Sequence, residues 1–162
     1  MSTTTDRHDP VEELLAMKKH LLQAAERGDA EAQFNLGIIY ENGLDDSRYA
    51  AEGNRPEAVR WLQAAAEQGL PRAQIKLAEI YAGEPGIPGN SAKACGWYLL
   101  ATASLQGAHL EKAQSAYQRA SFRLTPFQTA EVAHFAQGWK PKAPTSVALS
   151  DELEMPGEDE RD

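Results

Sequence analysis

The sequence predicts an all-α chain, a short right-handed α/α solenoid of about three stacked helical pairs. Three observations predict it. The chain repeats itself at a shift of 41 residues, the repeats break at glycines, and alanine is abundant while aromatic residues are scarce. Of 162 residues, 27 are alanine and only 7% are aromatic, so a core has to come from closely spaced helices. A period between ~20 and ~50 residues is the mark of a repeat array. Such units cannot bury their apolar faces alone, so they stack and leave an elongated curved surface.

The repeat reads directly. Ala24, Ala25, Glu26, Gly28, Ala32, Gln33, Leu36, Ile39 and Tyr40 fall on Ala65, Ala66, Glu67, Gly69, Ala73, Gln74, Leu77, Ile80 and Tyr81. A third copy starts at Ala94-Cys95-Gly96-Trp97 and reaches its glycine at Gly107, then fades to Ala113 and Tyr117. Glycine ends a helix in the left-handed conformation without a Cβ clash, so Gly28, Gly69 and Gly107 read as helix C-termini. Asp9-Pro10-Val11-Glu12 and Thr125-Pro126-Phe127-Gln128 read as starts, each an N-cap, a first-turn proline and an acid or amide. Asn54-Arg55-Pro56-Glu57 and Asn90-Ser91-Ala92-Lys93 are matched entries to the second helix of successive units. The expected helices are 10–27, 30–42, 55–68, 71–82, 91–106, 109–123 and 126–139. Between them, loop 43–54 is longer than its counterpart 83–90. Residues 1–9 read as a flexible start. Residues 140–162, with three prolines and seven acids against three bases, read as a disordered acidic tail.

Composition excludes several functions. A formal charge of −8 disfavours nucleic acid and anionic membranes, which need a basic surface. Cys95 is the single cysteine, which allows neither an internal disulfide nor a cysteine metal site. The start lacks an apolar signal region, and the most apolar run, from Trp97 to Ala103, is far short of the ~20 residues that span a bilayer. A cytoplasmic protein is the expectation.

The pattern Ala-x-x-Trp-x-x-x-Ala-Ala-x-x-Gly, followed by Ala and Leu-Gly/Ala-x-x-Tyr, resembles the Sel1-like repeat, a relative of the tetratricopeptide repeat. The resemblance spans about 17–139. His20 departs from it where a tryptophan would repeat. Leu124 to Trp139 also resembles the capping helix that closes bacterial members. The resemblance implies an α-solenoid adaptor or scaffold that binds a protein or peptide partner, with the first helix of each unit lining the concave side.

Helical arithmetic places that surface. Ala32, Leu36, Ile39 and Tyr40 share one face of the first helix, and Ala73, Leu77, Ile80 and Tyr81 match them. The opposite stripe is Glu31, Asn35 and Ile38 in one unit and Arg72, Lys76 and Glu79 in the next. This stripe is either the partner groove or a solvated face. Trp61, Trp97, Tyr40 and Tyr81 read as filling between layers.

No catalytic residue, metal site or cofactor is expected. His8, His20, His109 and His134 lack zinc-helix spacing, and His20 reads as a packing histidine. Cys95 reads as a small buried thiol. Gly83 to Gly89 lacks the lysine of a phosphate loop and reads as a turn. An alternative to the groove adaptor is a structural or regulatory subunit, docking to one dedicated partner or to itself through a helical edge. Residues 147–155 interleave apolar and acidic side chains. They either dock on a basic partner, fold back near Arg72 and Lys76, or only solubilise the chain.

Overall fold

A computed structural model describes residues 10–42, 54–83 and 90–144, and every element in them is a helix. The flexible start with the Asp9 cap, loop 43–54 up to residue 53, the glycine-rich turn at 84–89 and the tail from 145 lie outside the described residues. The helices are α1 (Pro10–Glu26), α2 (Ala30–Glu41), α3 (Arg55–Glu67), α4 (Pro71–Ala82), α5 (Asn90–Thr102), α6 (Gly107–Ser121) and α7 (Pro126–Gly138). Each of the first six packs on its neighbour in sequence, which makes a helical solenoid.

The turns repeat as faithfully as the residues. At the end of α1, Asp29 N–H donates to Ala24 O and Gly28 N–H to Ala25 O, with Gly28 at φ 95°. At the end of α3, Leu70 N–H donates to Ala65 O and Gly69 N–H to Ala66 O, with Gly69 at φ 93°. Both are paired bonds closed by a left-handed glycine, the arrangement that satisfies the last carbonyls of a helix. Asn54 caps α3 by accepting from Glu57 N–H, and Thr125 with Gln128 forms a complete capping box on α7.

Gly107 departs from the expectation. It lies well beyond the end of α5 and is instead the first residue of α6, at φ 58°. α5 stops at Thr102 through short-range bonds from Ala103 N–H to Leu100 O and Ser104 N–H to Ala101 O. With Trp97 aligned on Trp61 and Tyr117 on Tyr81, Gly107 stands where Pro71 opens α4, so it is not the counterpart of Gly28 and Gly69 and the third unit carries no extra residue before it.

The core runs along the stack. Leu62, Ala65, Ala66, Ala73, Leu77, Ala78, Ala94, Trp97 and Tyr98 form its larger part, and Ala25, Ala32, Leu36 and Trp61 the N-terminal part. Trp61 and Trp97 are buried as expected. Tyr40 and Tyr81 are only half-buried, with Lys18 and Lys93 over their rings. His20 is exposed, contrary to the packing role expected of it. α1 is the first helix of the described stack, and it packs chiefly on α2. Cys95 is fully buried, and burial pushes its thiol up to about 11.

Small residues set the spacing. A Cβ on Gly37 would lie 2.6 Å from Leu62 Cγ and 3.3 Å from Ala58 O, so α2 and α3 approach over a bare backbone.

α7 does not pair with α6. It folds back across α5, where Phe135 meets Trp97 edge-on at 6.0 Å and covers Gly96. The chain beyond α7 then runs onto α3. Trp139 and Pro141 lie beside Gly69, and Lys142 donates from its N–H to Glu67 O and from its ammonium to the Glu67 carboxylate, both at 2.8 Å. Residues 139–142 are thus a strap on the solenoid, although the sequence assigns 140 onward to the tail.

Candidate interaction surface

The sequence stripe is brought together by the stacking. Glu31, Asn35, Arg72 and Glu79 are exposed, and Lys76 is half-buried. Positions one repeat apart touch, for Arg72 pairs with Glu31 and its guanidinium lies 4.8 Å above the Phe34 ring. Lys76 pairs with Glu41 at 3.0 Å and with Glu79 at 3.8 Å. Exposed pairs of this kind contribute ~0–1 kcal/mol, so a ligand can exchange them at little cost. Ile38 is the exception within the stripe. It is partly buried and packs against the core, because the apolar arc of α2 is wider than helical arithmetic allows.

The face extends beyond the predicted stripe onto α6. A cleft of about 330 Å3 runs between Phe34 of α2, Ile75 and Lys76 of α4, and His109, Lys112 and Arg119 of α6. The first helices of three successive units therefore border one depression. Tyr98 forms part of its wall. Burial, then the nearby Glu79 charge, pushes the Tyr98 phenol up, against the opposing pull of Arg119. Sequence reasoning missed the α6 residues because the repeat signature fades there, although Tyr117 aligned with Tyr81 places Lys112 at the position of Lys76.

A second depression, about 490 Å3, lies among α3, α5 and α7. Its apolar wall is Trp97, Val132, Phe135 and Trp139, and the strap residue Lys142 stands at its rim.

Two buried glutamines hold the stack in register, a role the sequence reading passed over. Gln33 Nε2 donates to Ala25 O at 3.0 Å, and the equivalent Gln74 Nε2 donates to Ala66 O at 3.1 Å. Gln68 Nε2 in turn donates to Gln33 Oε1 at 2.8 Å and to Gly28 O at 2.9 Å, which ties one repeat to the next. Gln74 Oε1 has no such partner among the described residues. With Trp61 aligned on Trp97, the counterpart of Gln68 is Ser104, whose side chain is too short to reach.

Among the described residues no group of His, Cys, Asp and Glu could hold a metal ion, and no helix is long and apolar enough to cross a membrane.

Paired antiparallel helices, glycine-capped turns and a surface shared by successive first helices define a repeat protein of the α-solenoid class. Residues 30–70 and 71–104, the pairs α2–α3 and α4–α5, match the Sel1 repeat, so the chain carries two Sel1 repeats. Sel1 repeats are typically protein-interaction modules. The chain is 38% identical over 74 residues to DAP3-binding cell death enhancer 1 of Mus musculus, covering 46% of this chain and 14% of that protein. It is 37% identical over 76 residues to chitin synthase regulator SKT5 of Saccharomyces cerevisiae, covering 47% and 10%. The chain thus matches about a seventh or less of the length of these relatives. A solved Sel1 repeat protein from Oxalobacter formigenes is 28% identical, with 72% of this chain and 96% of that one covered and a TM-score of 0.46.

Proposed function

We propose that this protein is a non-catalytic adaptor or scaffold that holds a protein or peptide partner along the face of α2, α4 and α6. The observation that carries the proposal is the juxtaposition of Glu31 with Arg72, and of Lys76 with Glu41 and Glu79, beside a cleft that α6 completes. Residues that repeat in sequence form the core, while residues that differ between repeats face the cleft. That division lets one scaffold present a specific surface. The names of two relatives, one a binder of DAP3 and one a regulator of chitin synthase, accord with a role in protein association.

Capture of partners from native lysate by the full chain tests the reading. Lys76→Glu and Asn35→Arg should each abolish capture while leaving the helical circular dichroism unchanged. Ile38 is unsuited to this test, since a charge there would enter the core. Capture that survives both changes would overturn the assignment.

A second reading is favoured by Phe122 and Phe127, which are 92% and 73% exposed on either side of the α6–α7 turn. Large aromatics so placed suit docking of the helical edge to one dedicated partner. Phe122→Ser with Phe127→Ser would then abolish capture of a single stoichiometric partner, with Lys76→Glu and Asn35→Arg silent.

A further inference from the structure

The α2/α4/α6 face changes electrical character along its width. On the α2 side Glu31 and Glu41 occupy Arg72 and Lys76. Lys112 and Arg119 on α6 and Arg123 just past its end are exposed, and among the described residues no carboxylate pairs with any of them. Arg119 and Arg123 also border a smaller depression of about 280 Å3, beside Ser91 and Tyr98. This cationic strip stands on a chain of net charge −8, so it opposes the overall composition.

The path of the chain supplies an occupant. The strap fixes Lys142 on Glu67 and Pro141 beside Gly69, in the turn that leads into α4. The chain is therefore delivered to the N-terminal end of α4, where Arg72 begins the face. Residues 145–162, which follow, contain seven carboxylates and one cation, Arg161. Extended, they reach ~60 Å, while α6 is only ~23 Å long. Length does not limit contact with any part of the strip.

We propose that the acidic segment 151–162 of this chain docks on the cationic strip of α6, its carboxylates meeting Lys112, Arg119 and Arg123. It then occupies the surface until an acidic partner segment displaces it. The proposal rests on the reading of this face as a binding surface and adds the class of ligand, an extended acidic peptide. Tethering favours it. A short flexible linker gives an effective concentration on the order of millimolar, so even a millimolar intrinsic affinity leaves the segment bound about half the time.

Paramagnetic relaxation in the full chain tests this. A nitroxide is placed at Ser150→Cys, where it reacts selectively because Cys95 is buried with its thiol pushed up to about 11. At 0.05 M salt, amides from Lys112 to Arg123 should lose most of their intensity. The loss should vanish at 1 M salt, where the screening length is about 3 Å. It should also vanish in Lys112→Glu/Arg119→Glu/Arg123→Glu, and in Asp151→Asn/Glu152→Gln/Glu154→Gln. Absence of broadening at low salt, or broadening that persists through the salt and charge changes, would overturn the proposal. Broadening of an isotope-labelled chain by a separate nitroxide-labelled chain would identify a second copy as the occupant and overturn docking within one molecule. Partner capture reports separately on the surface. No broadening together with capture lost in Lys76→Glu removes the acidic segment but leaves the binding face standing.

Discussion

Gln33 and Gln74 occupy equivalent places in two repeats, both buried, and they should respond differently to the same substitution. Replacing each by methionine keeps the length of the side chain and removes its polar end. In Gln33→Met two direct bonds disappear, the donation to Ala25 O and the acceptance from Gln68. At ~1 kcal/mol per bond the loss is about 2 kcal/mol. Ala25 O and Gln68 Nε2 each keep another partner, Gly28 N–H and Gly28 O, so no buried group is stranded. In Gln74→Met only the donation to Ala66 O disappears, again ~1 kcal/mol. The unpaired Gln74 Oε1 disappears with it, and relief of such a buried acceptor returns ~1–3 kcal/mol. Gln74→Met should thus be neutral or stabilising. For a chain of this size ~1 kcal/mol moves Tm by ~2–4 °C, so Gln33→Met should melt ~4–8 °C below the parent and Gln74→Met at or above it. Urea denaturation followed at 222 nm gives the same comparison in free energy. Equal losses at both positions, or a larger loss at Gln74, would refute the idea that Gln68 couples the repeats through Gln33.

Trp61→Ala should cost ~3–5 kcal/mol, because the side chain is wholly buried in the N-terminal part of the core, and chemical denaturation measures it. Gly37→Ala should cost ~1–3 kcal/mol, since its Cβ would press on Leu62 at 2.6 Å; Leu62→Ala should make the added methyl less costly in a double-mutant cycle. Burial alone would raise the Glu67 carboxyl, but bonds from Lys142 and Gln63 overcome it and hold it below the ordinary glutamate value of 4.5. A depressed carboxylate stabilises above its unfolded pKa, so strap binding should be full at pH 6 and be lost as pH falls through the folded value. Fluorescence of Trp139 should report that release, and Lys142→Ala should remove the step. Cys95 should resist alkylation at pH 8 in the native chain and react promptly in urea, as its burial and raised pKa require.

The helices were legible because their signals are local. Proline and asparagine at the starts and Gly28 and Gly69 at the ends act within a few residues, and the structure keeps those boundaries to within a residue or two. Gly107 misled because a glycine permits a left-handed backbone on either side of a turn, so its presence marks the turn without saying which helix it closes. The stripe on α2 and α4 was legible for a similar reason, since periodicity separates the side chains that repeat from those that differ. Its α6 portion was not, because Lys112, Arg119 and Arg123 join the face only through the stacking of α6 on α5.

By itself, then, the sequence determined the all-helical repeat, its period, the caps at Gly28, Asn54, Gly69 and Thr125, and about half of the buried residues. All of these follow from spacing along one helix or across one turn. Only the tertiary structure decided that α7 lies on α5, that residues 139–142 strap α3, that His20 faces solvent and that Gln68 bridges to Gln33. Periodicity shows which side of a helix is apolar, but the helix that covers that side is chosen by shape across the whole stack. Gly96, bare enough to admit Phe135, sits beside Trp97, and that fit, not any local signal, sets where the last helix goes.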